Sequence, residues 1–203
     1  MQRTAIALTI WLATFAPAAA QQPAAAPGKP AIAIFAGGCF WCVEADFDKV
    51  PGVISTTSGY INGRTPNPTY EQVSRGGTGH AEAVEIVFDP AKVSYEKLLD
   101  VFWHNVDPLA KDYQFCDHGD QYRSAIFFHD DEQKRLAEKS KKDLEASGRF
   151  TQPIVTEIAP AGAFWPAEDY HQDYATKNPV RYNYYRYRCG RDQRLEQLWG
   201  KPQ

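Results

Sequence analysis

The stretch Gly37-Gly38-Cys39-Phe40-Trp41-Cys42-Val43-Glu44 constrains this chain more than any other. It follows a short apolar run, Ala31 to Phe35, and leads into residues of helical character, so it predicts a strand-to-helix corner. Paired glycines let the backbone turn sharply and approach whatever binds there. A cysteine in the first turn of a helix faces unpaired N–H groups and the positive end of the macrodipole, both of which favour thiolate over thiol. Cys39 is the candidate nucleophile on that ground. The competing reading is that Cys39 and Cys42 are a structural disulfide or two small buried apolar residues. The flanking glycines and bulky aromatics favour chemistry.

A second constraint comes from Ala81 to Phe88, where strict alternation predicts a strand with Glu82, Val84, Ile86 and Phe88 on one face. Glu82 thereby shares the face of core-forming side chains. A carboxyl at the end of an apolar stripe is poorly solvated, so its charged form is disfavoured and it can hold a proton near neutral pH as an acid. The plainer alternative is a carboxylate that still reaches solvent at the strand's first turn.

The chain ends are read differently. Arg3, the apolar run Ala5 to Phe15 and Ala18-Ala19-Ala20 have the layout of a cleavable secretory signal over 1–20, and the run falls short of the roughly 20 residues a membrane span needs. Residues 21–30, rich in Ala and Pro, read as a flexible lead-in, and 31–200 as a single catalytic domain. The mature protein is expected to be exported, periplasmic or secreted, with no membrane association after cleavage. In that oxidising setting Cys39, Cys42, Cys116 and Cys189 are all candidates for disulfides. One CxxC without a second pair is a poor match to a zinc site, so no metal is expected. A net charge of −3 gives no electrostatic reason to expect nucleic acid.

Between these landmarks the expected order is a helix over Val43–Lys49, a strand at Val53–Thr57 and a proline-stiffened loop from Gly59 to Gly79. Next come a helix capped by Ser94 and a polar loop from Asn105 to Asp120. A strand over Tyr122–Phe128, a helix capped by Asp130, a strand at Ile154–Ile158 and a short helix at Glu168–Tyr174 complete the core. His171 reads as a structural histidine. The Tyr- and Arg-rich tail from Arg181 to Cys189 reads as a coil-rich segment wrapped over the core. Strands and helices alternate without repeats, which defines an α+β domain with helices packed on a mixed sheet.

These landmarks resemble the class A peptide methionine sulfoxide reductases over roughly Ala31 to Trp199. Gly37 with Cys39-Phe40-Trp41 matches the family's Gly-Cys-Phe-Trp signature, and Thr65 to Tyr70 its Thr-Pro-Asn-Pro-Thr-Tyr loop. Gly79 to Val84 matches the acid-bearing strand. Asp117 with Gly119 to Ser124, and Ala167 to Tyr174, match two further segments in the right order. The resemblance implies a two-layer α/β sandwich with a ferredoxin-like α/β plait core. It implies reduction of methionine-S-sulfoxide, in proteins or free, with Cys39 as nucleophile and Glu82 as acid. Tyr70 and Tyr122 would hydrogen-bond around the sulfoxide oxygen, Phe40 and Trp41 would hold the methyl group, and Asp117 would help to place the substrate.

No cofactor is implied beyond an external dithiol from a thioredoxin-like protein, which export would require to be an exported one. Oxidised proteins with exposed methionine sulfoxide are the implied partners, and a monomer is expected. The resolving cysteine is open: Cys189 comes first, because the family often uses the C-terminal tail, with Cys42 as the alternative. A Cys39–Cys42 bond at a single helix turn is expected to strain disulfide geometry. Two rival readings remain, an exported thiol-disulfide oxidoreductase using Cys39 and Cys42, and a non-enzymatic peptide-binding module.

Overall fold

The computed structural model describes residues 29–201. The expected signal segment and the lead-in up to residue 28 lie outside the described residues. Strands β1 (Ala31–Gly37), β2 (Val53–Ile61), β3 (Ala81–Phe88), β6 (Ser124–Phe128), β7 (Glu157–Pro160) and β8 (Phe164–Pro166) form a six-stranded sheet in the order β7-β6-β1-β3-β2-β8. Only β6 and β7 pair in parallel, so the sheet is mixed. Helix α1 (Phe40–Phe47) connects β1 to β2, and α3 (Tyr95–His104) stands between β3 and β6. The central order β6-β1-β3-β2 with these two crossovers is the α/β plait of a two-layer sandwich. A two-residue hairpin, β4 (Tyr113–Gln114) with β5 (Asp117–His118), lies outside that sheet.

Side-chain alternation decides which face of the sheet is covered. On β3, Glu82, Val84, Ile86 and Phe88 point towards α1 and α3, as the sequence pattern predicts, and Val84 and Ile86 are fully buried among Phe35, Phe47, Leu98, Leu99 and Phe102. Ala81 and Ala83 point the other way, into a smaller cluster with Ile34, Ile61 and Phe127. Both expected caps are present: the Ser94 hydroxyl accepts from Lys97 N–H, and the Asp130 carboxylate accepts from Gln133 N–H at the start of α4 (Asp131–Ala146). Helix α4 packs beside α3, where Trp103 Nε1–H donates to Ser140 Oγ at 2.9 Å.

Several expected elements shift. The strand expected at Ile154–Ile158 pairs only from Glu157 onward, because Val155 N–H is taken by the Pro108 carbonyl. The strand expected from Tyr122 starts at Ser124, after a tight 3₁₀ turn over Asp120–Tyr122. The loop from Gly59 to Gly79 is shorter than expected, since β2 runs on to Ile61 and a short helix, α2 (Tyr70–Ser74), forms within it. Glu168–Tyr174 is a turn rather than a helix. Gln172 spends its side chain on the Ser58 backbone and the Ala167 carbonyl, and Asp173 is left-handed at φ 54°, so helix α5 (Tyr174–Lys177) begins only there.

The largest correction concerns the tail, which is helical and not coil-rich. Helix α6 (Pro179–Arg188) starts with proline at its first position, where the missing N–H costs nothing, and Gly190 at φ 68° separates it from α7 (Arg191–Trp199). Tyr182, Tyr185 and Cys189 fall at helical spacing on the inward side, while Tyr184 and Tyr187 are 67% and 71% exposed. Arg191 anchors the tail: its buried guanidinium donates to the Gly37 and Asn105 carbonyls and lies 4.5 Å above the Phe115 ring.

The core assignment gives a direct expectation for stability. Leu98→Ala, at a fully buried α3 position, should lower unfolding free energy by about 2–5 kcal/mol in denaturant melts, because it leaves a cavity. Ile54→Ala, 57% exposed on β2, should cost less than about 1 kcal/mol.

Candidate active site

The corner between β1 and α1 is built as the glycines require. Gly38 adopts φ 86°, and a Cβ there would meet Gln114 Cβ at 2.6 Å, so the hairpin packs directly on the turn. Cys39 is the N-cap of α1, in a non-helical conformation with φ −50° and ψ 119°. Its sulfur faces a small cavity of about 60 Å³, room for the end of an extended side chain. Cys39, Phe40, Trp41, Tyr70, Glu82, Asp117 and Tyr122, the seven residues expected around the substrate, all line this one cavity, and Tyr185 is an eighth.

Glu82 reaches it from β3, 2% exposed, and its Oε2 accepts the Phe40 N–H at 3.1 Å. That bond ties the strand to the helix start and leaves Oε1 free to carry a proton. Burial pushes the Glu82 carboxyl up to about 8, against the lowering effect of the Phe40 bond, and the charges of Asp117 and Cys42 push the same way as burial. The carboxyl is therefore largely protonated at neutral pH, as its place on the core face of β3 suggests.

Cys39 departs from expectation. Burial holds its thiol well above the usual value, helped by the hydrogen bond with Cys42 and by the negative charges of Cys42, Glu82 and Asp117. The helix start offers its sulfur little, because Phe40 N–H is spent on Glu82 while Cys42 and Val43 N–H bond the Cys39 carbonyl. Cys42 is lowered to about 7 by its hydrogen bond with Cys39, with Arg191 and Arg186 assisting against burial. Cys39 and Cys42 face each other across the first turn of α1, where the Cys39 carbonyl accepts the Cys42 and Val43 N–H groups, and the two are not bonded to each other, as expected.

The remaining groups are held from behind. Tyr70 opens α2, and its N–H donates to Glu168 Oε1 while the Tyr60 hydroxyl donates to Glu168 Oε2. His80 holds the loop before Tyr70 through the Thr65 carbonyl and the Gly63 N–H. The Tyr70 phenol is pushed up to about 12, chiefly by burial, and Tyr122 and Tyr185 are raised further, so all three remain O–H donors. Trp41 is fixed by stacking on Tyr174 at 3.7 Å and by donating from Nε1 to His171 Nδ1 at 3.0 Å, which gives His171 the structural role expected of it. Burial lowers His171 and keeps it neutral.

The other cysteines are paired with each other. Cys116 and Cys189 form a disulfide across 73 residues, with Cys189 Sγ 3.8 Å from Asp117 Oδ2, whereas Cys39 and Cys42 are free and buried. Cys189 therefore stands beside the cavity without lining it. Among the described residues the one cluster with metal-ligand spacing is Cys116, Asp117 and Cys189, and two of its three members are tied up in that bond. Sequence reasoning missed Tyr185, whose signal was its helical spacing from Tyr182 and Cys189. It also missed the support from Glu168 and Arg191.

A reduced cysteine beside a protonated carboxyl and an aromatic wall is the site of a thiol-dependent oxidoreductase. The family model described as peptide methionine sulfoxide reductase matches residues 31–203, and the chain belongs to that family. It is 53% identical over 173 residues to the peptide methionine sulfoxide reductase MsrA of Bacillus licheniformis, covering 85% of this chain and 96% of that protein. It is 51% identical over 168 residues to the longer MsrA/MsrB protein of Vibrio cholerae, covering 83% of this chain and 44% of that one. Among solved structures, methionine sulfoxide reductase A of Corynebacterium diphtheriae superposes with a TM-score of 0.66 at 36% identity, covering 78% of this chain and 79% of that one. Reduced Mxr1 of Saccharomyces cerevisiae gives 0.70 at 32%, covering 74% and 87%. The same yeast protein in complex with Trx2 shares the fold, at 0.52 and 24% identity.

If Glu82 supplies the proton, the rate of sulfoxide reduction should fall as pH rises through about 8, because only the protonated carboxyl is active. Glu82→Gln should slow that step by about 10²–10⁴ and remove this alkaline limb in a stopped-flow pH profile.

Proposed function

We propose that the chain reduces methionine-S-sulfoxide, in proteins and as the free amino acid, to methionine. The observation that carries this reading is the Phe40 N–H bond to Glu82, which fixes a proton-bearing carboxyl in the same small cavity as the Cys39 sulfur. A sulfoxide is polar at oxygen and apolar at its methyl group. Phe40 and Trp41 hold the methyl, while Tyr70, Tyr122 and Glu82 face the oxygen. Attack by the Cys39 sulfur builds negative charge on that oxygen, which the Glu82 proton and the two phenols neutralise in the transition state. The oxygen passes to the Cys39 sulfur: thiol and sulfoxide become sulfenic acid and methionine, with atoms and electrons balanced.

Resolution follows by disulfide formation. Cys42 is the free thiol hydrogen-bonded to Cys39, so its sulfur displaces hydroxide from the sulfenic acid, and a proton completes the water that leaves. Cys189, bonded to Cys116, reaches the site only after that bond opens. An external dithiol opens that bond at its exposed Cys116 end and leaves as a disulfide, and the freed Cys116 and Cys189 thiols then reduce the Cys39–Cys42 bond and close on each other again. Yeast Mxr1 has been solved in complex with Trx2, and a thioredoxin-like donor is the class that fits here. The signal-like layout of residues 1–20 supports export, and an exported protein would need a donor outside the cytosol.

The rival oxidoreductase reading draws on the free Cys39 and Cys42 pair. One assay separates the two. Without reductant, a Cys42→Ser, Cys116→Ser, Cys189→Ser protein should release one methionine per Cys39 from the S epimer and none from the R epimer. Cys39→Ser should release none. Methionine release by Cys39→Ser, equal use of both epimers, or turnover of protein disulfides without sulfoxide reduction would contradict the proposal.

A further inference from the structure

Tyr185 is the one residue lining the cavity that neither motif spacing nor family resemblance points to. It comes from α6, a helix the sequence reading took for coil, and reaches the site through its ring and through a hydroxyl that neighbours both the Asp117 carboxylate and the Cys39 sulfur. Its hydroxyl donates to Asp117 Oδ2, and its ring stands edge-on to Trp41 at 5.7 Å and 81°. One helical turn later, Cys189 N–H bonds the Tyr185 carbonyl, and the Cys189 sulfur is bonded to Cys116, the residue before Asp117. Helix α6 is therefore joined to the Asp117 hairpin by two rungs, a hydrogen bond inside the cavity and a covalent bond at its rim. Asp117 has few other restraints: the weak contact from Cys189 Sγ at 3.8 Å is to the same oxygen, Oδ2. A half-buried carboxylate with so little support would turn to seek water unless something held it.

We propose that Tyr185 is a positioning residue of this site: its O–H fixes the Asp117 carboxylate so that Oδ1 is presented to the substrate, and its ring closes the wall opposite Trp41. The inference rests on the reading that Asp117 places the substrate. The Tyr185 hydroxyl also neighbours the Cys39 sulfur, but it donates to Asp117, and Glu82, Tyr70 and Tyr122 supply the donors to the sulfoxide oxygen. The consequence is a split between recognition and chemistry. Loss of the hydroxyl should weaken substrate capture while leaving the saturated rate alone, which general damage to the fold would not do.

The test is single-turnover reduction of N-acetyl-methionine-S-sulfoxide amide without reductant, so that the Cys116–Cys189 bond stays closed. Wild type, Tyr185→Phe, Asp117→Asn and the double variant are compared by half-saturating concentration and saturating rate. Tyr185→Phe should raise the half-saturating concentration by about 10- to 100-fold, the range expected for losing a hydrogen bond to a charged group, with a saturating rate within about twofold of wild type. In the double variant the Phe substitution should add nothing to Asp117→Asn, because residues that act as one unit are not additive. An unchanged half-saturating concentration in Tyr185→Phe, an equal loss in saturating rate, or independent multiplication of the two effects would overturn the inference while the role of Asp117 stands. Wild-type behaviour of Asp117→Asn would remove the role of Asp117 and the inference with it.

Discussion

The hydrogen bond from Phe40 N–H to Glu82 Oε2 joins the two halves of the site. Phe40 begins α1, whose start is set by the glycine corner, and Glu82 sits near the beginning of β3, directly across the pair from Tyr60. Neither element alone would make a reactive centre. The corner brings a sulfur to the cavity, and the strand brings a carboxyl forced to keep its proton by the same burial that makes β3 a core strand. Because the bond occupies only one carboxyl oxygen, it orients Glu82 without consuming the group that has to donate.

That arrangement has an electrostatic consequence for the sulfur. The dipole argument for a thiolate at a helix start presumes that the first N–H groups are unpaired, and here those of Phe40, Cys42 and Val43 are spent on Glu82 and on the Cys39 carbonyl. Burial then dominates and pushes the Cys39 thiol up, while the hydrogen bond with Cys39, assisted by Arg191 and Arg186, lowers Cys42. The arginines belong to α6 and α7, so the tail that closes the cavity through Tyr185 also sets the charge on the second thiol.

Much of this was legible in the sequence where one local rule dominates. β3 has the limits its alternation predicts, and the glycine corner and the two helix caps fall where their residue chemistry puts them. The seven residues gathered in the cavity were found in two ways: Cys39 and Glu82 from local physics, the others through matching motifs. Legibility failed where distant groups compete for the backbone. Gln172 drew the chain at Glu168–Tyr174 out of a helix by bonding Ser58, and the tail hid its helices because tyrosine and arginine side chains carry no strong periodic contrast. The Cys116–Cys189 bond depends on α6 returning to the hairpin, which spacing could not show.

The central claim is that Glu82 is a neutral acid in the resting protein. Isotope-edited infrared or carbon NMR titration of the Glu82 carboxyl, identified by its loss in Glu82→Gln, measures that state directly. The account expects the carboxyl to remain protonated through neutral pH and to titrate near 8. Titration in the ordinary glutamate range, near about 4, would leave the site without its proton donor and contradict the account.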